Sequence, residues 1–201
     1  MAKDTSTEQK IAEAAERVFL VKGIAGARMQ EIADAAGINK ALLHYYFRSK
    51  EKLFDYVFQR VFQEFVDTLR EVFSEHEPIE NQIRAFIARY LRIFEEKPDI
   101  PLFIQTELYR NPKLIEQFTF MESVFPVNAL REVIRAKIEQ GEWRHIRVAD
   151  FLVNLIGLCV YPYLAKPLLQ RAFQMPEDAY DNYLKQREDA VYEFFMSGLR
   201  V

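Results

Sequence analysis

The chain has 201 residues, half of them apolar, enough for a continuous core in one large domain or in a small domain joined to a larger one, and too many for long disorder. The net charge of −3 hides an asymmetry, because residues 1–50 carry eight Lys and Arg against six Asp and Glu, whereas residues 51–201 carry 19 against 24. The single cysteine, Cys159, rules out a disulfide framework and fits a reducing cytoplasm, and no signal segment or membrane span is expected: Met1 to Lys10 is polar, and Asn154 interrupts the longest apolar run, near Phe151 to Val160.

Apolar residues recur three and four apart almost throughout, so an all-α fold is expected. Thr5 or Ser6 can cap a first helix, with Glu8 or Gln9 completing a capping box, and Ile11, Ala14, Ala15, Val18 and Phe19 form its apolar stripe up to a terminating Gly23. A second, short helix spans Met29 to Ala36, with Gly37 as a left-handed cap. Asn39 then caps a third helix, Lys40 to Phe47, which is too short to stand alone and must be held by its neighbours. Two short helices separated by a tight glycine-containing turn read as a helix-turn-helix. Ser49 caps a long fourth helix reaching about Glu75, with Leu53, Tyr56, Val57, Val61, Phe65, Leu69 and Val72 at helical spacing. Prolines punctuate further helices near 79–97, 100–109, 112–140, 147–171 and 177–198, and Pro126 and Pro162 are expected to kink or split theirs.

The third helix carries the chemistry. Leu43 and Phe47, four apart, face inward against Phe19 and Ile32, which leaves Ala41 and Tyr45 outward, flanked by Leu42, His44 and Arg48. A solvated face is normally charged, whereas this one mixes small, aliphatic and aromatic groups beside Lys40, as a surface meeting base edges and phosphates does. Tyr45 and Tyr46 carry hydroxyls able to reach phosphate oxygens, Ala41 and Leu42 suit a thymine methyl, and His44 can donate or accept. Lys50 and Lys52 in the first turn of the fourth helix oppose its macrodipole unless a phosphate occupies that end. With Lys40 and Arg48 they form a basic window opposed only by Glu51.

Residues 10–54 resemble the DNA-binding region of the tetracycline-repressor (TetR) family of regulators, on a spaced pattern of Phe19, Gly23, Ile32, Ala33, Ala36, Gly37, Asn39, Lys40, Leu43, Tyr46, Phe47, Ser49, Lys50, Glu51 and Leu53. The resemblance implies that the third helix enters the major groove, that Lys40, Tyr45, Tyr46 and Lys50 mainly position the backbone, and that two copies read a palindromic operator on double-stranded DNA. It also implies a helix-turn-helix domain over 1–48 and a larger helical effector-binding and dimerisation domain over 49–201. The chain departs from the family's pattern in two places. Ala27 and Arg28 stand where a hydroxyl usually begins the second helix, which adds Arg28 and the neighbouring Gln30 as candidate DNA contacts, and Leu42 replaces a hydroxyl on the recognition helix, so the operator is expected to differ.

The C-terminal part holds most of the 17 Phe and 10 Tyr residues. Aromatic stripes are usually core, but the resemblance implies an effector pocket between the middle helices, for which Tyr90, Phe94, Phe103, Phe118, Met121, Cys159 and Tyr163 are candidates. Their chemistry suits a small, largely apolar or aromatic effector, such as a long-chain or polycyclic compound. The segments 147–171 and 177–198 resemble the family's dimerisation helices, with Phe151, Leu155, Leu158, Tyr183, Ala190, Val191 and Phe194 as candidates for a homodimer interface; the alternative is that these residues fill the monomer's own core. His44, His76 and His145 have no metal-ligand spacing, and neither a nucleophile elbow nor a phosphate-cradling glycine loop is present, so no enzyme, metal or cofactor is expected. The expected function is a cytoplasmic, dimeric repressor released from its operator by a ligand. The alternative is a helical ligand-binding or interaction module that has lost operator binding, motivated by Leu42 and the missing hydroxyl near Arg28.

Overall fold

The computed structural model describes residues 5–74, 77–116 and 127–201, and among them the chain forms twelve helices and no strand. These are α1 (Thr5–Gly26), α2 (Met29–Ala35), α3 (Lys40–Tyr46), α4 (Lys50–Ser74), α5 (Ile79–Glu96), α6 (Ile100–Arg110), α7 (Lys113–Glu116), α8 (Val127–Glu139), α9 (Val148–Leu164), α10 (Lys166–Phe173), α11 (Glu177–Lys185) and α12 (Arg187–Leu199). They fall into two compact units, one of Met1–Glu64 with Leu102–Leu114 and one of Phe65–Pro101 with Ile115–Val201. The boundary expected at residue 48 thus lies inside the first unit, which also takes in most of α6. Among the described residues no single helix is long and apolar enough to cross a membrane.

In the first unit Ile11, Ala15 and Phe19 of α1 meet Ile32 of α2 and Leu43 of α3, all fully buried. Phe19 sets its ring edge-on to Phe54 of α4 at 5.2 Å, and Phe54 stacks on Phe58 at 5.8 Å. Each buried aromatic contributes about 1.5–3 kcal/mol of burial free energy, so this stack binds α1 firmly to α4. Glu16, buried on α1, accepts a hydrogen bond from Arg60 of α4 at 2.5 Å, a pairing that the apolar stripe did not reveal. Gly23 interrupts α1 with φ 62° and ψ 177°, backbone that a side chain rarely tolerates, and one further turn follows it to Gly26.

In the second unit α5 buries Ile79, Ile83, Phe86, Ile87, Tyr90 and Phe94 along one face, packed against α9 and α12. Phe151 of α9 stacks on Trp143 at 6.0 Å and meets Phe195 of α12 edge-on at 5.1 Å. The last residues fold back on the loop before α9: the Arg144 amide donates to the Leu199 carbonyl at 2.7 Å, and Trp143 pairs with Arg200 in an isolated antiparallel bridge.

The last two helical segments are more broken than their sequence suggests. The stretch expected at 147–171 is α9 and α10, bent by 73° at the junction, and the break falls at Ala165 rather than at Pro162, which stays inside α9. Proline has no N–H to return to the carbonyl four residues earlier, so Leu158 is left without its helical donor. Arg187 fills that vacancy, its Nη2 donating to the Leu158 carbonyl at 3.0 Å. The Pro162 carbonyl, in the last turn where helical donors run out, accepts the buried Tyr180 hydroxyl at 2.6 Å. Both donors come from the stretch expected as one helix at 177–198, which divides into α11 and α12 at Gln186 (φ −87°, ψ −2°). The segment around Pro126 lies outside the described residues. Replacement of Tyr180 by Phe strands a buried carbonyl and is expected to lower the unfolding free energy by about 1–3 kcal/mol in urea titration; unchanged stability would mean that the Pro162 carbonyl has another donor.

Candidate nucleic-acid interface

The Asn39 side chain accepts the Leu42 amide at 2.8 Å and so caps α3 as its sequence position suggests. Gly37 has φ 67°, which turns the chain from α2 into this cap. Leu43 and Phe47 point into the core, while Ala41, His44, Tyr45 and Arg48 are exposed and Leu42 is half-buried. The face projected from the helical period is therefore the face presented. Tyr45 is 53 % exposed and meets Tyr46 edge-on at 5.5 Å. Tyr46 itself is only 8 % exposed, because at 100° per residue it follows Leu43 onto the inner face.

The flanking residues refine the interface. Arg28 is the N-cap of α2 without a side-chain cap bond, in line with the missing hydroxyl, and it is exposed. Gln30 is also exposed, and its amide donates to Asp34 at 2.8 Å. The Ser49 hydroxyl accepts the Lys52 amide at 3.2 Å, which caps α4, and the Lys40 and Lys52 side chains are both exposed. Glu51 is held below the usual carboxylate range by a backbone N–H and by the Ser49 hydroxyl, so it stays ionised in this cap. Lys50 has a task that the sequence did not show. Its Nζ donates to the Ala27 carbonyl at 3.2 Å and ties the first turn of α4 to the turn that follows the α1 break. Tyr56, expected on the inner stripe of α4, is instead partly exposed and tilts over Phe47 at 5.3 Å.

The candidate effector residues separate. Tyr90 contacts Phe94 at 5.0 Å, Phe94 contacts Tyr163 at 5.0 Å, and Cys159 is buried beside them with its thiol pushed up to about 12 by burial, so that it remains protonated. Burial likewise raises the Tyr163 hydroxyl to about 12 and Tyr90 well above its ordinary value. Phe103 is not with them: it faces the first unit, against Phe54 at 5.9 Å and Phe58 at 5.7 Å, because it lies on the side of α6 that packs there. Phe118 and Met121 lie outside the described residues.

The dimerisation candidates divide as well. Phe151, Leu155 and Val191 are fully buried in the unit's own core, which corrects their assignment to a surface. Leu158 and Tyr183 are half-buried, and Ala190 and Phe194 are exposed, Phe194 by 69 %. Val153, a half-turn from Phe151 on α9, and Tyr161, both absent from the sequence candidates, are exposed, and they line with Phe194 and Leu158 an apolar groove of about 740 Å³ that also holds Arg187. The half-turn offset between Val153 and Phe151 or Leu155 was the available signal, since α9 is apolar on both faces.

Residues 11–57 match the family model described as bacterial regulatory proteins, tetR family. The chain is 24 % identical over 198 residues to YttP, a probable HTH-type transcriptional regulator of Bacillus subtilis, covering 98 % of this chain and 91 % of that protein. It is 29 % identical over 158 residues to the HTH-type transcriptional repressor NicS of Pseudomonas putida, covering 77 % and 74 % respectively. Among solved structures, the transcriptional regulator FadR from Bacillus subtilis in complex with stearoyl-CoA superposes with a TM-score of 0.66 over 94 % of this chain and 98 % of that one, at 18 % identity, a likeness of fold. For the capped recognition helix, Asn39→Ala is expected to destabilise the protein by about 1 kcal/mol in urea titration, whereas Asn39→Ser is expected to retain most of the cap.

Proposed function

We propose that the chain, whose residues 11–57 match the tetR family of bacterial regulatory proteins and which aligns over nearly its whole length with an HTH-type transcriptional regulator, is a TetR-family homodimeric repressor released from a palindromic operator by a small, largely apolar ligand. The observation that carries this reading is the outer face of α3. Ala41, His44 and Tyr45 project from a helix too short to exist unless its other side is buried, so the face is presented rigidly and has the mix of methyl, ring and polar groups that base edges require. Lys40, Lys52, Arg28 and Gln30 complete the proposed contact surface, mainly to phosphates, with Leu42 toward a thymine methyl and the partly covered Tyr46 and the Lys50 amine, already bonded to the Ala27 carbonyl, at its edge.

One recognition helix reads too few base pairs for useful specificity, and α9 and α12 supply the means of pairing. Val153, Tyr161 and Phe194 are large apolar groups exposed around one groove, and burying them against a second copy satisfies the outer face of α9. The proposed effector site is the aromatic group of Tyr90, Phe94, Cys159 and Tyr163, whose apolar side chains suit an acyl chain or an aromatic body; the complex of the FadR structure with stearoyl-CoA supports the acyl class. The ligand acts by binding the DNA-incompetent dimer more tightly than the competent one, since a ligand equally tight for both shifts nothing. Half-sites lie at fixed spacing, so a shift of a few ångströms between recognition helices weakens the complex. The uncapped start of α2 at Arg28 and the aliphatic Leu42 favour a second reading, a helical ligand-binding or interaction module without operator binding.

Selection from a random duplex pool separates the two. The purified protein is expected to enrich a palindrome, with affinity falling steeply as salt rises, and the double variant Tyr45→Ala with Leu42→Ala is expected to enrich none; no enrichment by the folded, unaltered protein at low salt would leave the second reading standing. For assembly, Phe194→Asp is expected to convert the dimer to a monomer in sedimentation analysis, and a persisting dimer would move the interface away from this groove.

A further inference from the structure

Among the described residues two carboxylates are buried in the first unit, and one of the two has a short ion pair. Glu16 has Arg60 at 2.5 Å, whereas Glu107 of α6 is 2 % exposed, its Oε1 makes no hydrogen bond, and the Arg110 guanidinium stands 3.6 Å from it. Burying a carboxylate on these terms is costly, and an aliphatic side chain would fill the space without that cost. What the carboxylate faces is Gly23. A Cβ at that position would stand 2.9 Å from Glu107 Oε1 and 3.4 Å from Arg110 Nη1, so the break in α1 is in close contact with α6. Beyond the break the Ala27 amide returns to the Gly23 carbonyl at 3.3 Å, and the Ala27 carbonyl receives Lys50. The single turn 23–27 that leads into α2 is therefore fixed at its end by Lys50 and bears at its start on Glu107. One helical turn earlier on α6, Phe103 is seated in the aromatic stack of α4, which sets the position from which Glu107 reaches.

We propose that Glu107 is a positioning residue for DNA binding: its carboxylate, backed by Arg110 and pressed on Gly23, sets the angle at which α1 delivers the helix-turn-helix. The proposal rests on the DNA-binding reading above. It makes operator affinity depend on a side chain about 60 residues beyond the recognition helix in sequence, and on its charge as well as its bulk.

The test uses the full chain and, as probe, the duplex that the unaltered protein selects, together with duplexes whose half-sites are moved one base pair closer or farther apart. Glu107→Gln keeps the volume and removes the charge, and it is expected to weaken binding to the selected duplex about tenfold and to flatten the preference among spacings. Affinity for a scrambled duplex at low salt is expected to stay the same. A role in packing alone lowers the unfolding midpoint and leaves the spacing preference untouched in measurements made well below it. Arg110→Gln, altering a side chain that is 59 % exposed, carries the same test should Glu107→Gln fail to fold, with a loss of about threefold expected. Affinity within about twofold and an unchanged spacing preference in the folded variant overturn the proposal. Failure of the unaltered protein to select any duplex overturns the DNA-binding reading before a variant is made, so the two failures are distinct.

Discussion

A helix of seven residues has no stability of its own, and the first unit is organised around that constraint. Leu43 and Phe47 supply the inner anchor of α3, Asn39 closes its first turn, and Ile32 and Phe19 form the wall against which it rests. Rigidity of the outer face is thus borrowed from α1 and α4. The aromatic stack from Phe19 through Phe54 to Phe58 and the ion pair between Glu16 and Arg60 hold those two helices together, and Lys50 locks the turn ahead of α2. A loss in any of these elements reaches the recognition helix without touching it.

Much of this unit is legible in the sequence because its signals are local. A cap, a glycine and a three-and-four spacing each act within a few residues, so Asn39, Gly37, Ser49 and the inner and outer faces of α3 are found where the pattern puts them. What the sequence does not display are interactions whose partners lie far apart. Lys50 reads as a basic residue near a phosphate, yet its amine is turned to a carbonyl 23 residues away. Phe103 reads as one more aromatic of the C-terminal part, yet the first unit claims it. Glu107 carries no sequence signal at all, since nothing in a helical period marks a carboxylate as buried.

The second unit shows a different limit. Hydrophobic periodicity identifies α9 as buried but cannot say by what, and a helix that is apolar all round has its faces assigned only when its neighbours are known. Phe151 and Leu155 are buried in the unit's own core, while Val153 and Tyr161 are exposed. The position of the bend was equally hidden. Pro162 removes a donor, which is a local fact, but whether the helix stops there depends on whether a side chain elsewhere replaces it, and Arg187 and Tyr180 do.

That replacement places a condition on the order of synthesis. The carbonyl of Leu158 waits for a guanidinium 29 residues further along the chain, and that of Pro162 for a hydroxyl 18 residues further. Until those residues have been made, both carbonyls have only water to bond. The last helices to emerge are therefore the ones that complete an earlier one, and the C-terminal turns of α9 take their final hydrogen bonds only after α11 and the start of α12 have been made.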